Sequence, residues 1–205
     1  MERFRCYYSH GAGSLKHLTL KVLWALVVLG LAESGVLAQP AQVLIIRHAE
    51  RPFQEGAVNL SLKGQERAMA LVPFLTQTPE LTYRGLPVAL FATKIIPGDL
   101  SHFTLETIDP LSQRLRVLTN ASYAKWDYAN LAQEILTNLK YEKRTVLICW
   151  VREYIPRLAA ALGIFPEPPP WPENAFDRVW VITYKKGQAS LVNLPQRLLF
   201  GDSAE

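Results

Sequence analysis

The run Gln42-Val43-Leu44-Ile45-Ile46-Arg47-His48 decides the fold of this 205-residue sequence. Its four central residues are apolar, three of them are β-branched, and the run ends in charge. This pattern is typical of a strand that is buried on both faces of a parallel sheet. Two later apolar runs, 87–93 (PVALFAT) and 144–150 (RTVLICW), have the same character. The sequence therefore predicts three buried strands.

Apolar residues at helical spacing lie between and after these strands. We expect Ser61 and Asp127 to cap two of the helices, and Pro110 to break another. The predicted helices span residues 61–75, 104–116, 127–139 and 155–162. A proline-rich loop at 165–172 then precedes a terminal pair of strands, 178–184 and 189–194. Alternating strands and helices predict an α/β fold, in which helices cover both faces of a mostly parallel sheet.

The first 38 residues differ from the rest of the chain. Four basic residues precede an apolar run of eleven residues, 22–32, and small residues follow before Gln39. This order is that of a secretory signal peptide. We expect cleavage after Ala38, which leaves 39–205 as the mature domain of a secreted or periplasmic protein. The run is short for a bilayer-spanning helix, which needs about 20 residues; the alternatives are an uncleaved membrane anchor and an amphipathic extension.

Composition and charge exclude several classes of protein. The chain is 49% hydrophobic, with 22 basic and 18 acidic residues, so it contains enough apolar material for a core. Basic residues neither form runs nor alternate with aromatic residues, and we expect no nucleic-acid partner. The predicted mature domain contains one cysteine, Cys149, for which we expect a buried, unreactive thiol, and two histidines, His48 and His102. We therefore expect no disulfide, no metal site and no cofactor.

The end of the first strand carries the residues with the clearest chemical use. Ligands of such folds bind beyond the carboxyl ends of the strands, and there the sequence reads Arg47-His48-Ala49-Glu50-Arg51. A neutral imidazole is a nucleophile toward phosphorus, and guanidinium groups bind phosphate oxygens. This segment is therefore a candidate phosphate site. The alternative is a solvated strand end with three unrelated charges.

Several further segments accompany residues 44–50 (LIIRHAE) along the chain. They are 60–68 (LSLKGQERA), 91–93 (FAT), 106–107 (ET), 146–150 (VLICW), 176–180 (FDRVW) and 194–199 (LPQRLL). In this order they resemble the motifs of the histidine phosphatase superfamily, which includes phosphoglycerate mutases and acid phosphatases. The resemblance implies a three-layer α/β/α sandwich with a mostly parallel sheet, of the phosphoglycerate-mutase type. It also implies a small phosphorylated or anionic ligand.

The resemblance assigns roles to three residues at the first strand end. It implies that His48 is the residue that accepts a phosphoryl group and that Arg47 binds the phosphate. Arg51 is similar to a further arginine of the acid-phosphatase-like branch.

The sequence departs from the family pattern at two positions. Phe103 stands where a second arginine is expected, and Arg152 stands where a second histidine is expected. Arg152 can still donate hydrogen bonds to a phosphoryl group, and His102 is a candidate replacement for the arginine. The alternatives are a surface arginine and a loop histidine that faces solvent or caps a helix. Glu153 lies where some members carry a proton donor; a carboxylate favoured by the start of a helix is the alternative.

Two functions fit these residues. In the first, a basic pocket around His48 binds an anionic ligand, while catalysis is weak or lost. Loss of an oxyanion-binding arginine can cost on the order of 10² to 10³ in rate. In the second, the protein is an active phosphomonoesterase with a phosphohistidine on His48, and Glu153 or Glu50 handles protons. We favour the first, because the second arginine and the second histidine are both replaced.

Overall fold

The computed structural model describes residues 39–203, together with Met1. The predicted signal peptide and its cleavage point therefore lie outside the described residues. Residues 39–203 belong to one compact unit. Within them, no helix combines the length and the apolar composition that crossing a membrane requires.

Strands and helices alternate along the described chain. In order, the elements are β1 (Gln42–Arg47), α1 (Leu62–Gln77), α2 (Pro79–Thr82), β2 (Pro87–Thr93), α3 (Phe103–Leu115), β3 (Thr119–Tyr123), α4 (Tyr128–Thr137), a 3-10 turn (Leu139–Tyr141), β4 (Thr145–Trp150), α5 (Ile155–Ala161), β5 (Arg178–Lys185) and β6 (Gln188–Pro195).

The strands form one sheet in the order β3-β2-β4-β1-β5-β6. The pairs β3–β2, β2–β4 and β4–β1 are parallel, whereas β5 is antiparallel to both β1 and β6. β1 thus lies between β4 and β5, and Arg47 at its end is in register with Trp150 at the end of β4. Because parallel strands end at the same edge, the residues that follow β1 and β4 meet there.

Alternate residues of β1 pack into two separate hydrophobic cores. Val43 and Ile45 face a cluster that includes residues of α4 and α5, and Leu44 and Ile46 face one that includes residues of α1 and α3. All four side chains are fully buried, which explains why this strand has no polar side chain between its ends. Residues 39–203 therefore form an α/β/α sandwich, as the sequence predicts.

Capping follows the prediction at one helix and departs from it at another. The Ser61 hydroxyl accepts a hydrogen bond from the Gly64 amide at 3.1 Å and begins α1. Asp127 lies at the N-cap position of α4, but its carboxylate accepts from the Ala124 amide at 3.2 Å and makes no cap bond. The predicted carboxylate cap is therefore wrong, because the preceding turn takes its acceptor. α4 also ends at Thr137 rather than at 139.

Two further features differ from the sequence-based prediction. α3 continues through Pro110 without a break, because Ile108 and Leu111 on either side are both buried in the same core. Packing outweighs the lost backbone hydrogen bond here. The edge strand β3 (TNASY) was not predicted, because it has no apolar run; it is identified only by its parallel pairing with β2.

Candidate functional site

The site begins where β1 and β4 end side by side. The His48 amide donates to the Trp150 carbonyl at 3.1 Å, which extends the β1–β4 pairing by one residue. The next residue, Ala49, donates its amide to the Thr107 hydroxyl at 2.8 Å. Thr107 in turn donates to the Phe103 carbonyl at 2.6 Å. The turn at residues 48–49 is thus fastened to β4 and to the first turn of α3.

His48 is buried, with 7% of the residue's surface exposed. Its Nδ1 lies 2.8 Å from the Ala49 carbonyl oxygen. A carbonyl can only accept, so Nδ1 donates, and the neutral ring carries its lone pair on Nε2. Nε2 makes no hydrogen bond to any residue in the described part of the chain, and it is not among the fully enclosed nitrogens.

Burial and charge both favour the neutral ring. Burial, helped by the charges of Arg47 and Arg51, lowers the pKa of His48 to about 4, while the hydrogen bond to Ala49 and the charge of Glu153 oppose the shift. The imidazole is therefore uncharged near neutral pH, and Nε2 is in the form that a nucleophile needs.

Two phenylalanine rings form the walls around this imidazole. The ring centroid of Phe103 lies 5.5 Å from that of His48, and the centroid of Phe176 lies 6.0 Å away at a steep angle. By the family resemblance, Phe103 occupies the position at which a second arginine is expected. An apolar ring therefore contacts the imidazole where the family resemblance implies a cation.

Arg47 lies beside His48 and is almost fully buried. Its Nη1 donates to the Glu173 carbonyl at 2.5 Å and to the Ala175 carbonyl at 3.3 Å, and its Cζ lies 3.9 Å from the centre of the Phe176 ring. Its Nε is buried and has no hydrogen-bond partner among the described residues. Burial, with the nearby charge of Arg152, lowers the pKa of Arg47 to about 10. The group remains cationic at neutral pH.

Arg152 and Glu153 follow β4 and reach the same edge of the sheet. Arg152 donates through Nη2 to a Glu173 carboxylate oxygen at 2.9 Å, and its Nε forms an ion pair with a Glu153 carboxylate oxygen at 3.1 Å. Glu153 has 59% of its side chain exposed. The charge of Arg152 acts on Arg47, so the structure brings these predicted residues together. Two carboxylates nevertheless offset the charge of Arg152.

The remaining predicted residues lie on the loops around the site. Arg51 is exposed, and its charge acts on both Arg47 and His48. His102 occupies the N-cap position of α3, but its ring makes no cap bond; its amide donates to the Val58 carbonyl at 2.7 Å. The contact with His48 from this end of α3 is made by Phe103 and not by His102.

Glu50, the alternative candidate for handling protons, has its carboxylate paired with the buried Arg67. Both oxygens of its carboxylate accept from Arg67 Nε, at 3.1 and 3.0 Å, and one also accepts from Nη2 at 2.7 Å. Arg67 also pairs with Asp202. The sequence marks Arg67 only as part of the 60–68 motif, and no local pattern indicates Asp202.

The residue types present do not favour a metal-dependent site. Within residues 39–203, no three His, Cys, Asp or Glu side chains gather closely enough to bind a metal ion. The one buried thiol of this region, Cys149, lies inside β4, and burial raises its pKa well above the ordinary range. The arrangement offers one unprotonated imidazole nitrogen and a group of arginines.

Comparisons with known proteins agree on the fold. No protein-family model and no curated protein matches this sequence. An alpha-ribazole phosphatase from Shigella flexneri matches with a TM-score of 0.54 at 11% identity, over 77% of this chain and 98% of that one. A protein from Escherichia coli K-12 assigned as an alpha-ribazole-5'-P phosphatase matches with a TM-score of 0.53 at 12% identity, over 78% and 98%. The described part of the chain therefore shares the α/β fold of these two solved structures, which agrees with the fold that its sequence motifs imply.

Proposed function

We propose that this protein binds the phosphate group of a small phosphorylated ligand beside Arg47 and His48, and that it hydrolyses that ligand weakly or not at all. The observation that carries this proposal is the Phe103 ring, 5.5 Å from the imidazole, at the position where a second phosphate-binding arginine is expected. The two solved proteins of the same fold are phosphatases by name, which supports a phosphomonoester as the ligand class.

Anion binding is supported by the donors that remain. Arg47 is a buried cation whose Nε donor has no acceptor among the described residues. A buried donor without a partner costs about 1–3 kcal/mol, and an anion oxygen that reached it would recover that energy. Arg51 adds an exposed positive charge at the mouth of the site.

Weak turnover is supported by what surrounds these donors. Phosphoryl transfer needs donors that stabilise charge on the transferring group, and each such donor contributes about 10² to 10³ in rate. Phe103 donates nothing, and Arg152 is already paired with Glu153 and Glu173. Glu153, the candidate proton donor, is largely exposed and bound to that same arginine.

The proposal is tested by orthophosphate binding and by aryl phosphate hydrolysis. At ten times its dissociation constant, orthophosphate should stabilise the protein by about 1.4 kcal/mol, which is roughly 3–5 °C in melting temperature. We expect this shift in the wild type and in His102→Ala but not in Arg47→Gln. We also expect 4-nitrophenyl phosphate hydrolysis no faster than in His48→Ala. A wild type that orthophosphate and vanadate leave unstabilised would contradict the proposal.

An active phosphomonoesterase is the second candidate, and the state of His48 favours it. The ring is neutral, Nδ1 donates to Ala49, and Nε2 is uncommitted, as a phosphohistidine intermediate requires. In that reaction Nε2 would attack phosphorus and displace the alkoxide, which would take a proton from Glu153. A water molecule would then cleave the phosphorus–Nε2 bond, releasing orthophosphate and returning the proton to Glu153. Hydrolysis that is present in the wild type and in His102→Ala, and that disappears in His48→Ala, would establish this function in place of the first.

We also propose that the protein is exported through the leader 1–38, with cleavage after Ala38. The basic residues, the short apolar run and the small residues before Gln39 support this proposal. The intact mass of the product tests it. A secreted or periplasmic product should begin at Gln39, whereas a product that retains Cys6 and Trp24 would indicate an uncleaved, membrane-anchored form.

A further inference from the structure

A buried arginine joins the site to a distant part of the chain. Arg67, on α1, has a 2% exposed side chain, yet it carries a permanent charge. Its guanidinium donates to Glu50 and also to Asp202, at 3.0 Å from Nη1 and 2.7 Å from Nη2. It further donates to the Gln196 side-chain oxygen at 3.3 Å. A charge this deeply buried is stable only when it is paired, so these contacts are tightly coupled.

Glu50, the first of the two carboxylates that pair with Arg67, lies in the turn that follows His48. Glu50 is two residues beyond His48, and its backbone carbonyl accepts from both the Ser61 amide and the Ser61 hydroxyl at 3.0 Å. α1 approaches that carbonyl so closely that a Cβ at Gly64 would lie 2.2 Å from it. The backbone at Glu50 and its side chain are therefore both fastened to α1.

Asp202, the second carboxylate that pairs with Arg67, also binds backbone amides within residues 196–203. Asp202 accepts from the Leu198 and Leu199 amides at 2.8 and 3.0 Å in addition to Arg67. Burial raises the pKa of Asp202, but the hydrogen bonds from Arg67 and from these two amides outweigh it and lower the pKa to about 2. Asp202 is thus ionised under ordinary conditions and shapes the 196–203 segment around the buried guanidinium.

The same segment also fastens the opposite wall of the site. Ser203 donates through its amide and its hydroxyl to Asp177 at 2.6 and 2.7 Å, and the Gln196 amide donates to the Asp177 carbonyl at 2.8 Å. Asp177 directly follows Phe176, whose ring contacts both Arg47 and His48. The 196–203 segment therefore connects the two sides of the site: the 48–50 turn through Arg67, and the Phe176 wall through Asp177.

We propose that Asp202 is a positioning residue for the His48 site. Its carboxylate acts through Arg67 and Glu50 to keep the Ala49 carbonyl in place for the imidazole Nδ1. The role in ligand binding rests on the proposed function, whereas the effect on the imidazole does not.

Asp202→Asn in the full chain tests this, because it keeps the size and one acceptor oxygen and removes the charge. The matched control is Glu134→Gln, on α4. Glu134 also accepts several side-chain hydrogen bonds, from Tyr123, from Tyr141 at 2.8 Å and from Lys140 at 3.3 Å, and none of them involves the site. Each protein is studied at least 15 °C below its own melting temperature, so that every sample is folded.

Two readouts separate positioning from stability. The first is the tautomer of His48 in long-range ¹H–¹⁵N spectra at neutral pH, assigned with His48→Gln. We expect the Nδ1–H form in the wild type and in Glu134→Gln, and a substantial Nε2–H population in Asp202→Asn. The second is the dissociation constant of orthophosphate, which we expect to rise at least fivefold in Asp202→Asn and to change less than twofold in Glu134→Gln.

The outcomes distinguish the two proposals. An unchanged tautomer in folded Asp202→Asn would overturn the positioning role, whatever happens to its melting temperature. A wild type that does not bind orthophosphate would overturn the proposed function, and a shifted tautomer in Asp202→Asn would then still support the positioning role. If Asp202 acts through Glu50, Glu50→Gln should by itself shift the His48 tautomer. Adding Asp202→Asn to that variant should then change the tautomer population little further. Additive shifts would overturn that route.

Discussion

Replacement of His48 by glutamine tests how strongly folding disfavours the protonated form of this imidazole. Burial lowers the pKa of His48 from 6.5 to about 4 in the folded protein. Between these values an unfolded chain binds a proton that the folded chain does not. Stability therefore falls as the pH falls from about 6.5 to about 4, and this residue adds nothing further below that. A shift of two to three pKa units corresponds to about 3 kcal/mol.

Urea titrations near pH 7 and pH 4 measure this contribution. Folding lowers the pKa values of carboxylates such as Asp177 and Asp202, so these groups also lose stabilisation in acid. This loss is the same in every variant and cancels when two variants are compared. We expect the free energy of unfolding of the wild type to fall by about 3 kcal/mol more than that of His48→Gln. His102→Gln is the matched control and should behave like the wild type. Equal losses in the wild type and in His48→Gln would refute a buried, neutral imidazole.

Three further variants test the surroundings of the site. Gly64→Ala should lower the free energy of unfolding by about 1–3 kcal/mol, since its Cβ would lie 2.2 Å from the Glu50 carbonyl oxygen; an unchanged urea midpoint would contradict this close approach. Ser61→Ala should cost about 1–2 kcal/mol through the lost cap of α1, whereas Ser61→Thr should retain most of the stability in the same titration. In a Cys6→Ser chain, the Cys149 thiol should react with Ellman's reagent only after unfolding, because it is buried and its pKa is raised; rapid reaction of the native protein would contradict this.

The strands and the layers follow from local patterns. Runs such as Val43 to Ile46 leave no polar side chain to face solvent, so they require cover on both faces, and the structure provides it with helices. The terminal hairpin and the Ser61 cap also depend on residues close together in sequence. Local chemistry is sufficient for such elements.

Predictions were wrong where tertiary contacts compete with local preference. Pro110 lies within a continuous helix because buried neighbours on both sides fasten the helix to the core. The Asp127 carboxylate accepts a hydrogen bond from the Ala124 amide, in the turn before α4, and none from α4 itself. β3 forms from polar residues because the open edge of β2 supplies partners for its backbone.

The sequence by itself determined five of the six strands that the structure describes, their helical cover and the pair Arg47-His48 at the end of β1, since these depend on periodicity and on residue order. Only the tertiary structure decided what surrounds that pair. The Phe103 and Phe176 rings and the neutral state of His48 depend on residues that packing brings together. The hydrogen bonds between Arg67 and Asp202 join residues 135 positions apart. No local pattern encodes such contacts, because burying a charge costs free energy that is offset only when the folded chain brings its partner to it.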